Sequence, residues 1–103
     1  MIIRVDAAGN VHLDEPDDFG AFSVEAGGRA ASEVAGAFAG DAEAIDAEHL
    51  WISIARLHAL GARDGGPDWR AGCDGMIAYA TKKGWVDASG ERVRAHLESR
   101  VAP

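Results

Sequence analysis

Four residues that can act as acids, bases or nucleophiles raise the first question about this chain. An imidazole transfers protons near neutral pH, a thiolate is a nucleophile, and a phenol donates a proton. The candidates are His49, His58, Cys73 and Tyr79. If folding brings them to one cavity, the chain is a small enzyme or carries a ligand-binding pocket.

An acid, an imidazole and a hydroxyl also occur at spacings of three and four, at Asp46, His49 and Ser53. On a helix these spacings place the three side chains on one strip, where they point outward together. A catalytic triad instead needs a base aimed at a nucleophile beside an oxyanion hole, and those groups come from separate elements. We therefore interpret the strip as exposed helix surface on which Asp46 caps the helix or pairs with His49.

The sequence assigns no residue to a catalytic, cofactor-binding or metal-ligating role, and it predicts no cofactor. The histidines, His12, His49, His58 and His96, lack the short spacing of metal-binding helices, so only folding could assemble a site from them. The single cysteine, Cys73, excludes an internal disulfide. Its place on an apolar helix face favours an inert, buried thiol.

Aromatic residues support the leading functional hypothesis. Three tryptophans are many for a domain with little core volume, and tryptophan is enriched at interaction hot spots. The interaction candidates are Trp69, Tyr79 and Trp85. We expect a non-catalytic interaction or regulatory domain that binds a protein partner, a second copy of itself as a homodimer, or a small ligand. If all three indoles lie in the core, this hypothesis loses its main support.

A third hypothesis is winged-helix DNA binding through helix 68–83 and hairpin 85–98. The basic residues Arg70, Lys82, Lys83, Arg92 and Arg94 would contact phosphates. Acidic residues interrupt this set, and the predicted loop before the helix is long and rich in glycine, which weakens the hypothesis.

Charge and length restrict the class of protein further. The 103 residues form one predicted domain, 1–103, with a formal charge of −7. Residues 1–50 carry a net charge of −9 and residues 51–103 a net charge of +2. Because an acidic chain is repelled by phosphate backbones, nucleic-acid binding is disfavoured. The beginning of the sequence does not resemble a secretory signal and no apolar run could span a bilayer, so we expect a soluble, cytoplasmic protein with no membrane partner.

Apolar periodicity predicts an α+β fold with the order βββ-ααα-ββ. The expected elements form a small antiparallel sheet packed against three helices: strands at 2–5, 11–13 and 19–25, helices at 29–39, 42–60 and 68–83, and a second hairpin from 85–87 and 92–98. The tail 92–101 also fits a helix, but 86–90 resembles the turn of the first hairpin, which favours the strand.

The central helix, about 42–60, is the element around which we expect the fold to be built. Its stretch 47–60 is apolar over most of a helical circumference, and Gly61 would end it. In the next helix, Gly72 and Gly75 each cost about 1 kcal/mol relative to alanine. Three explanations fit the sequence: a close crossing with the central helix, a non-helical turn at 72–75, or access of a ligand to the backbone near Cys73.

Overall fold

The computed structural model describes residues 1–98, and it confirms the α+β class with three helices. Its elements follow the order βββ-α-ββ-αα-β. The strands are β1 (Ile2–Val5), β2 (Val11–Asp14), β3 (Ser23–Glu25), β4 (Ala42–Asp46), β5 (His49–Ser53) and β6 (Arg92–Glu98). The helices are α1 (Ala31–Ala37), α2 (Ile54–Asp64) and α3 (Trp69–Lys82).

The six strands form one sheet in the order β2-β1-β3-β6-β5-β4. The first predicted hairpin is present as β1 and β2, which pair antiparallel. The second is present as a short antiparallel pairing: Val86 and Val93 form a bridge, and backbone hydrogen bonds join Asp87 to Arg92 and Arg94 to Trp85. The sheet is mixed, whereas the sequence suggested antiparallel pairing throughout, because β3 lies between β1 and β6 and runs parallel to both.

The predicted central helix at 42–60 is wrong over most of its length. Residues 42–53 form the hairpin of β4 and β5, and the helix begins only at Ile54. Within β5, Leu50 and Ile52 are fully buried, whereas Trp51 is half-buried on the opposite face. The alternation of a strand was hidden because Trp51 is also apolar, so the run resembled a broad helical stripe.

Gly61 lies inside α2 and does not end it, because the helix continues to Asp64. A Cβ atom at Gly61 would meet the Trp69 ring carbons at 2.2–2.3 Å. In α3, a Cβ atom at Gly72 would meet Phe19 at 2.2 Å, whereas Gly75 has nothing within 4 Å. Of the three explanations for Gly72 and Gly75, close packing therefore fits Gly72, although its neighbour is the loop residue Phe19 and not the central helix. The non-helical turn is excluded, since both glycines lie within α3.

The sheet has one covered face and one open face. The helices pack on the covered face, with α1 over β4 and β5 and with α2 over β2 and β5. The strands supply a layer of buried apolar side chains to it: Ile3, Val5, Val11, Leu13, Val24, Leu50, Ile52, Val93, Ala95 and Leu97. The alternate residues of the same strands, which include His49, Trp51, Arg94 and His96, lie on the open face.

The outer edge of β2 is covered by the end of α2. The Leu13 N–H donates to Asp64 Oδ2 at 2.9 Å, and Arg63 donates to the Val11 carbonyl at 2.8 Å. These side chains occupy backbone groups through which another strand could pair. Within the described part of the chain, no helix is long and apolar enough to cross a membrane.

Candidate interaction surface

A row of alternating aromatic rings and cations crosses the open face of the sheet and reaches the end of α3. We call this set the aromatic–cation surface; it consists of Trp51, Tyr79, Lys83, Trp85, Arg92 and Arg94. The Arg92 guanidinium lies 5.8 Å from the Trp51 ring centroid, and that of Arg94 lies 5.8 Å from the Trp85 centroid. The Lys83 ammonium lies 5.5 Å from the Tyr79 centroid. Each distance falls within the range of a cation–π contact.

Strand register positions the part of this surface that lies on the sheet. Trp51 on β5 faces Arg94 on β6, so their side chains share the open face. The Arg94 N–H donates to the Trp85 carbonyl at 2.7 Å, which places Trp85 beside β6 on the side that faces away from β5. Three consecutive positions across the sheet therefore hold Trp85, Arg94 and Trp51.

The end of α3 positions the remaining aromatic residue. Gly84 adopts a φ of +77°, and the Trp85 N–H donates to the Ala80 carbonyl at 2.9 Å. This is the bond that defines a Schellman ending, and it turns Trp85 back against the helix. The Tyr79 and Trp85 centroids lie 6.0 Å apart in an edge-to-face arrangement. The two rings are therefore in contact, and Tyr79 remains 56% exposed.

The cations of this surface differ in how far neighbouring carboxylates neutralise them. Arg92 donates to Asp87 at 2.8 Å and to Glu43 at 2.9 Å, so its charge is neutralised within the chain. Arg94 and Lys83 have no carboxylate within 4.0 Å among residues 1–98. Two cations beside two aromatic rings are therefore available to an anionic group.

Of the predicted interaction residues, Trp69 does not lie on this surface. It is 3% exposed, and its indole N–H donates to the Pro16 carbonyl at 2.9 Å. Its ring fills the space beside Gly61 and meets the His58 ring edge-on with centroids 6.5 Å apart. Trp69 is thus a core residue, whereas Trp51, which the sequence placed in a core helix, belongs to the exposed row.

The predicted pocket residues do not converge on one cavity. His49 lies on the open face of the sheet, and His58 lies on α2 over the covered face. Cys73 is fully buried, and burial raises the pKa of its thiol to about 11, so the nucleophilic thiolate is scarce at neutral pH. Tyr79 is exposed on α3. A shared catalytic cavity for these four residues is therefore not assembled.

The row Asp46, His49 and Ser53 does not lie on a helix. Asp46 and His49 flank the tight turn between β4 and β5, and Asp46 Oδ1 lies 2.9 Å from His49 Nδ1. Backbone N–H donation from Glu48 and the bond to His49 lower the pKa of Asp46. Ser53 caps α2 by accepting from the Arg56 N–H at 3.2 Å. The expected pairing of Asp46 with His49 is confirmed, and Ser53 has a structural role.

His58 borders two clefts, of about 210 Å³ and about 470 Å³. The smaller cleft is bounded by Trp69 and Arg70, and the larger one by Ser53 and Glu91. His58 Nε2 is buried without a hydrogen-bond partner among residues 1–98, and Asp74 Oδ1 lies 3.7 Å from it. Burial, together with the charge of Arg70, lowers the pKa of this imidazole. A small-ligand pocket at His58 stays a prediction.

The winged-helix arrangement is not favoured by the geometry. β6 lies between β3 and β5 in the sheet, so it does not project as a wing. Arg70 pairs with Asp74 at 3.1 Å, and the two acids beside Arg92 neutralise that cation as well. Arg70 and Arg92 are therefore not free to contact phosphates.

Comparison of the chain with protein-family models, curated proteins and solved structures found no match.

Proposed function

We propose that the chain is a non-catalytic interaction domain whose aromatic–cation surface binds an acidic segment of a protein partner. The observation that carries this proposal is the position of Arg94 and Lys83, which lack carboxylate partners and lie beside Trp85 and the exposed Tyr79. Aromatic rings supply apolar contact area at low entropic cost, and arginine and aromatic residues are enriched at binding hot spots.

The charge distribution of the chain determines where an acidic partner can bind. The whole chain carries −7, so acidic partners are repelled over most of its surface, and most strongly by residues 1–50. A local pair of unneutralised cations is then the place where an acidic segment can approach. A second copy of the chain could supply the acidic segment, since its acidic half complements this surface. A small carboxylate ligand has the same charge and could bind there as well.

The test is the selection of random peptides displayed on phage against the immobilised full-length chain. We expect the selected peptides to combine Asp or Glu with an apolar residue. In fluorescence anisotropy, Arg94→Glu and Tyr79→Ser should each weaken their binding by about tenfold or more, which is the loss of about 1.4 kcal/mol of binding free energy.

Arg70→Glu is the matched control, because it makes the same charge change at the other end of α3 and breaks only an exposed ion pair. It should change affinity by about twofold at most, since such pairs contribute little. Light scattering tests the homodimer by measuring the molecular mass. A dimer held by this surface should dissociate at high salt, and the Arg94→Glu variant should be a monomer at low salt as well. Enrichment of basic peptides, or equal binding by wild type and Arg94→Glu, would refute the proposal.

A further inference from the structure

The open face of the sheet also brings together two histidines that are distant in the sequence. His49 on β5 and His96 on β6 are direct cross-strand partners, and their ring centroids lie 5.4 Å apart. Their side chains are 29% and 46% exposed, so solvent and dissolved ions reach them. This pair lies outside the aromatic–cation surface and is independent of the proposed function.

Each imidazole has a carboxylate at the same ring nitrogen. His49 Nδ1 lies 2.9 Å from Asp46 Oδ1, and His96 Nδ1 lies 3.3 Å from Glu98 Oε1. An ionised carboxylate only accepts hydrogen bonds, so Nδ1 carries the proton in the neutral ring and Nε2 keeps its lone pair. Carboxylate–histidine pairs of this kind orient the imidazole ligands of metal ions and raise their basicity.

The carboxylate and the second imidazole approach His49 from opposite sides. Asp46 belongs to β4, whereas His96 belongs to β6, and these strands flank β5. The hydrogen bond to Asp46 therefore does not occupy the side of the ring that faces His96.

The separation of the rings fits a shared metal ion. A Zn²⁺ ion lies about 2.0–2.1 Å from a ligating nitrogen and hence about 3.2 Å from the centroid of that ring. Two imidazoles at the tetrahedral angle then have centroids about 5.2 Å apart. The distance in this structure, 5.4 Å, is close to that value.

We propose that His49 Nε2 and His96 Nε2 together bind one late first-row divalent metal ion, of the class of Zn²⁺ or Ni²⁺. Imidazole nitrogen suits these ions, whereas Mg²⁺ and Ca²⁺ prefer oxygen ligands. Among residues 1–98, no group of three or more His, Cys, Asp or Glu side chains is arranged to hold a metal ion. The protein therefore supplies two ligands, and water fills the other positions.

The neighbouring charges favour a cation on balance. Asp46 and Glu98 lie beside the two rings, and Ser23 is the partner of His96 on its other side. Arg94 is two residues from His96, but its guanidinium is stacked on Trp85. The nearest groups to the two imidazoles are thus carboxylates and a hydroxyl.

The test is calorimetric titration of the untagged full-length chain with ZnCl₂ and with NiCl₂, alongside NMR of the imidazole nitrogens. We expect one metal ion per chain and a shift of the Nε2 signals of His49 and His96. His49→Gln and His96→Gln should each weaken binding by at least about tenfold. Asp46→Asn, which removes a positioning residue, should weaken it by about tenfold while the Nε2 shift persists.

His12→Gln is the matched control. His12 lies on the same face, and its Nε2 is 3.8 Å from Asp14, but it has no second imidazole opposite it because Arg4 occupies that position. This variant should bind as wild type does. Circular dichroism melts confirm folding of every variant. Three results would overturn the proposal: no saturable binding by wild type, binding by His49→Gln or His96→Gln that equals that of wild type, or a loss of binding in His12→Gln as large as in those two variants.

Discussion

Replacement of Gly61 by alanine tests the packing that holds α2 against α3. The added Cβ atom would lie 2.2–2.3 Å from three carbons of the Trp69 ring. Optimal separation between carbon atoms is about 3.5–4.0 Å, so the overlap exceeds about 1 Å. Trp69 cannot yield easily, since it is 3% exposed and its indole N–H is bonded to the Pro16 carbonyl. Either the ring leaves its site or the two helices separate.

The expected magnitude follows from two opposing terms. Loss of the packing of a buried tryptophan costs about 3–5 kcal/mol, and alanine recovers about 1 kcal/mol of helix propensity relative to glycine. Gly61→Ala should therefore lower the free energy of unfolding by about 2–4 kcal/mol. For a domain of this size, the melting temperature should fall by at least about 8 °C.

Gly75→Ala is the matched control, because Gly75 also lies within a helix but has nothing within 4 Å of its added Cβ position. It should raise the free energy of unfolding by up to about 1 kcal/mol through helix propensity alone. Urea denaturation followed by tryptophan fluorescence, together with scanning calorimetry, measures both variants.

Two results would refute this reasoning. One is a Gly61→Ala variant that is as stable as Gly75→Ala. The other comes from a double-mutant cycle with Trp69→Leu, which removes the ring that the new methyl group meets. The cost of Gly61→Ala should shrink in that background, and an unchanged cost would show that Trp69 is not the cause.

Two further predictions concern the β2 edge and the core thiol. Asp64→Ala should lower the free energy of unfolding at pH 7 by about 1–3 kcal/mol in urea denaturation, because Arg63 and the Leu13 N–H lose an ionised acceptor. Hydrogen bonds from Arg63 and from the Leu13 N–H lower the pKa of Asp64 from 3.8 to about 2. The stabilisation is therefore complete above the pKa of the unfolded chain, and it is lost as the pH falls through the pKa of the folded chain. A difference in stability between wild type and variant that is the same at pH 7 and at about pH 2 would contradict this prediction. Because burial raises the pKa of the Cys73 thiol to about 11, the folded chain should resist a disulfide reagent at about pH 8 that titrates the denatured chain, and rapid reaction of the folded chain would contradict this.

Local signals in the sequence determined several elements correctly. The first hairpin follows from alternating residues on both sides of an Asp–Gly turn, and α3 follows from its apolar face and the glycine that ends it. The contact between Tyr79 and Trp85 also has a local cause, because a Schellman ending folds the next residue back onto its helix. In each case the interacting residues are close in the chain, so local geometry is sufficient.

The main error concerned residues 42–53, and its cause is specific. Trp51 lies on the open face of the sheet, where a polar residue is usual, and it therefore concealed the alternation of β5. The same error concealed the aromatic–cation surface, since Trp51 was predicted to lie in the core and not on an exposed face of the sheet. The opposite error was made for Trp69, because the space left by Gly61 and Gly65 allows an indole of that size to be buried.

Sequence by itself determined the residue types available for chemistry, the α+β class and the elements set by local periodicity. Only the tertiary structure decided which distant residues meet. The pairing of β5 with β6 brings Trp51 to Arg94 and His49 to His96. Strand pairing between segments that are far apart in the chain depends on how all six strands share one buried face, and the spacing of residues within either strand carries no record of that choice.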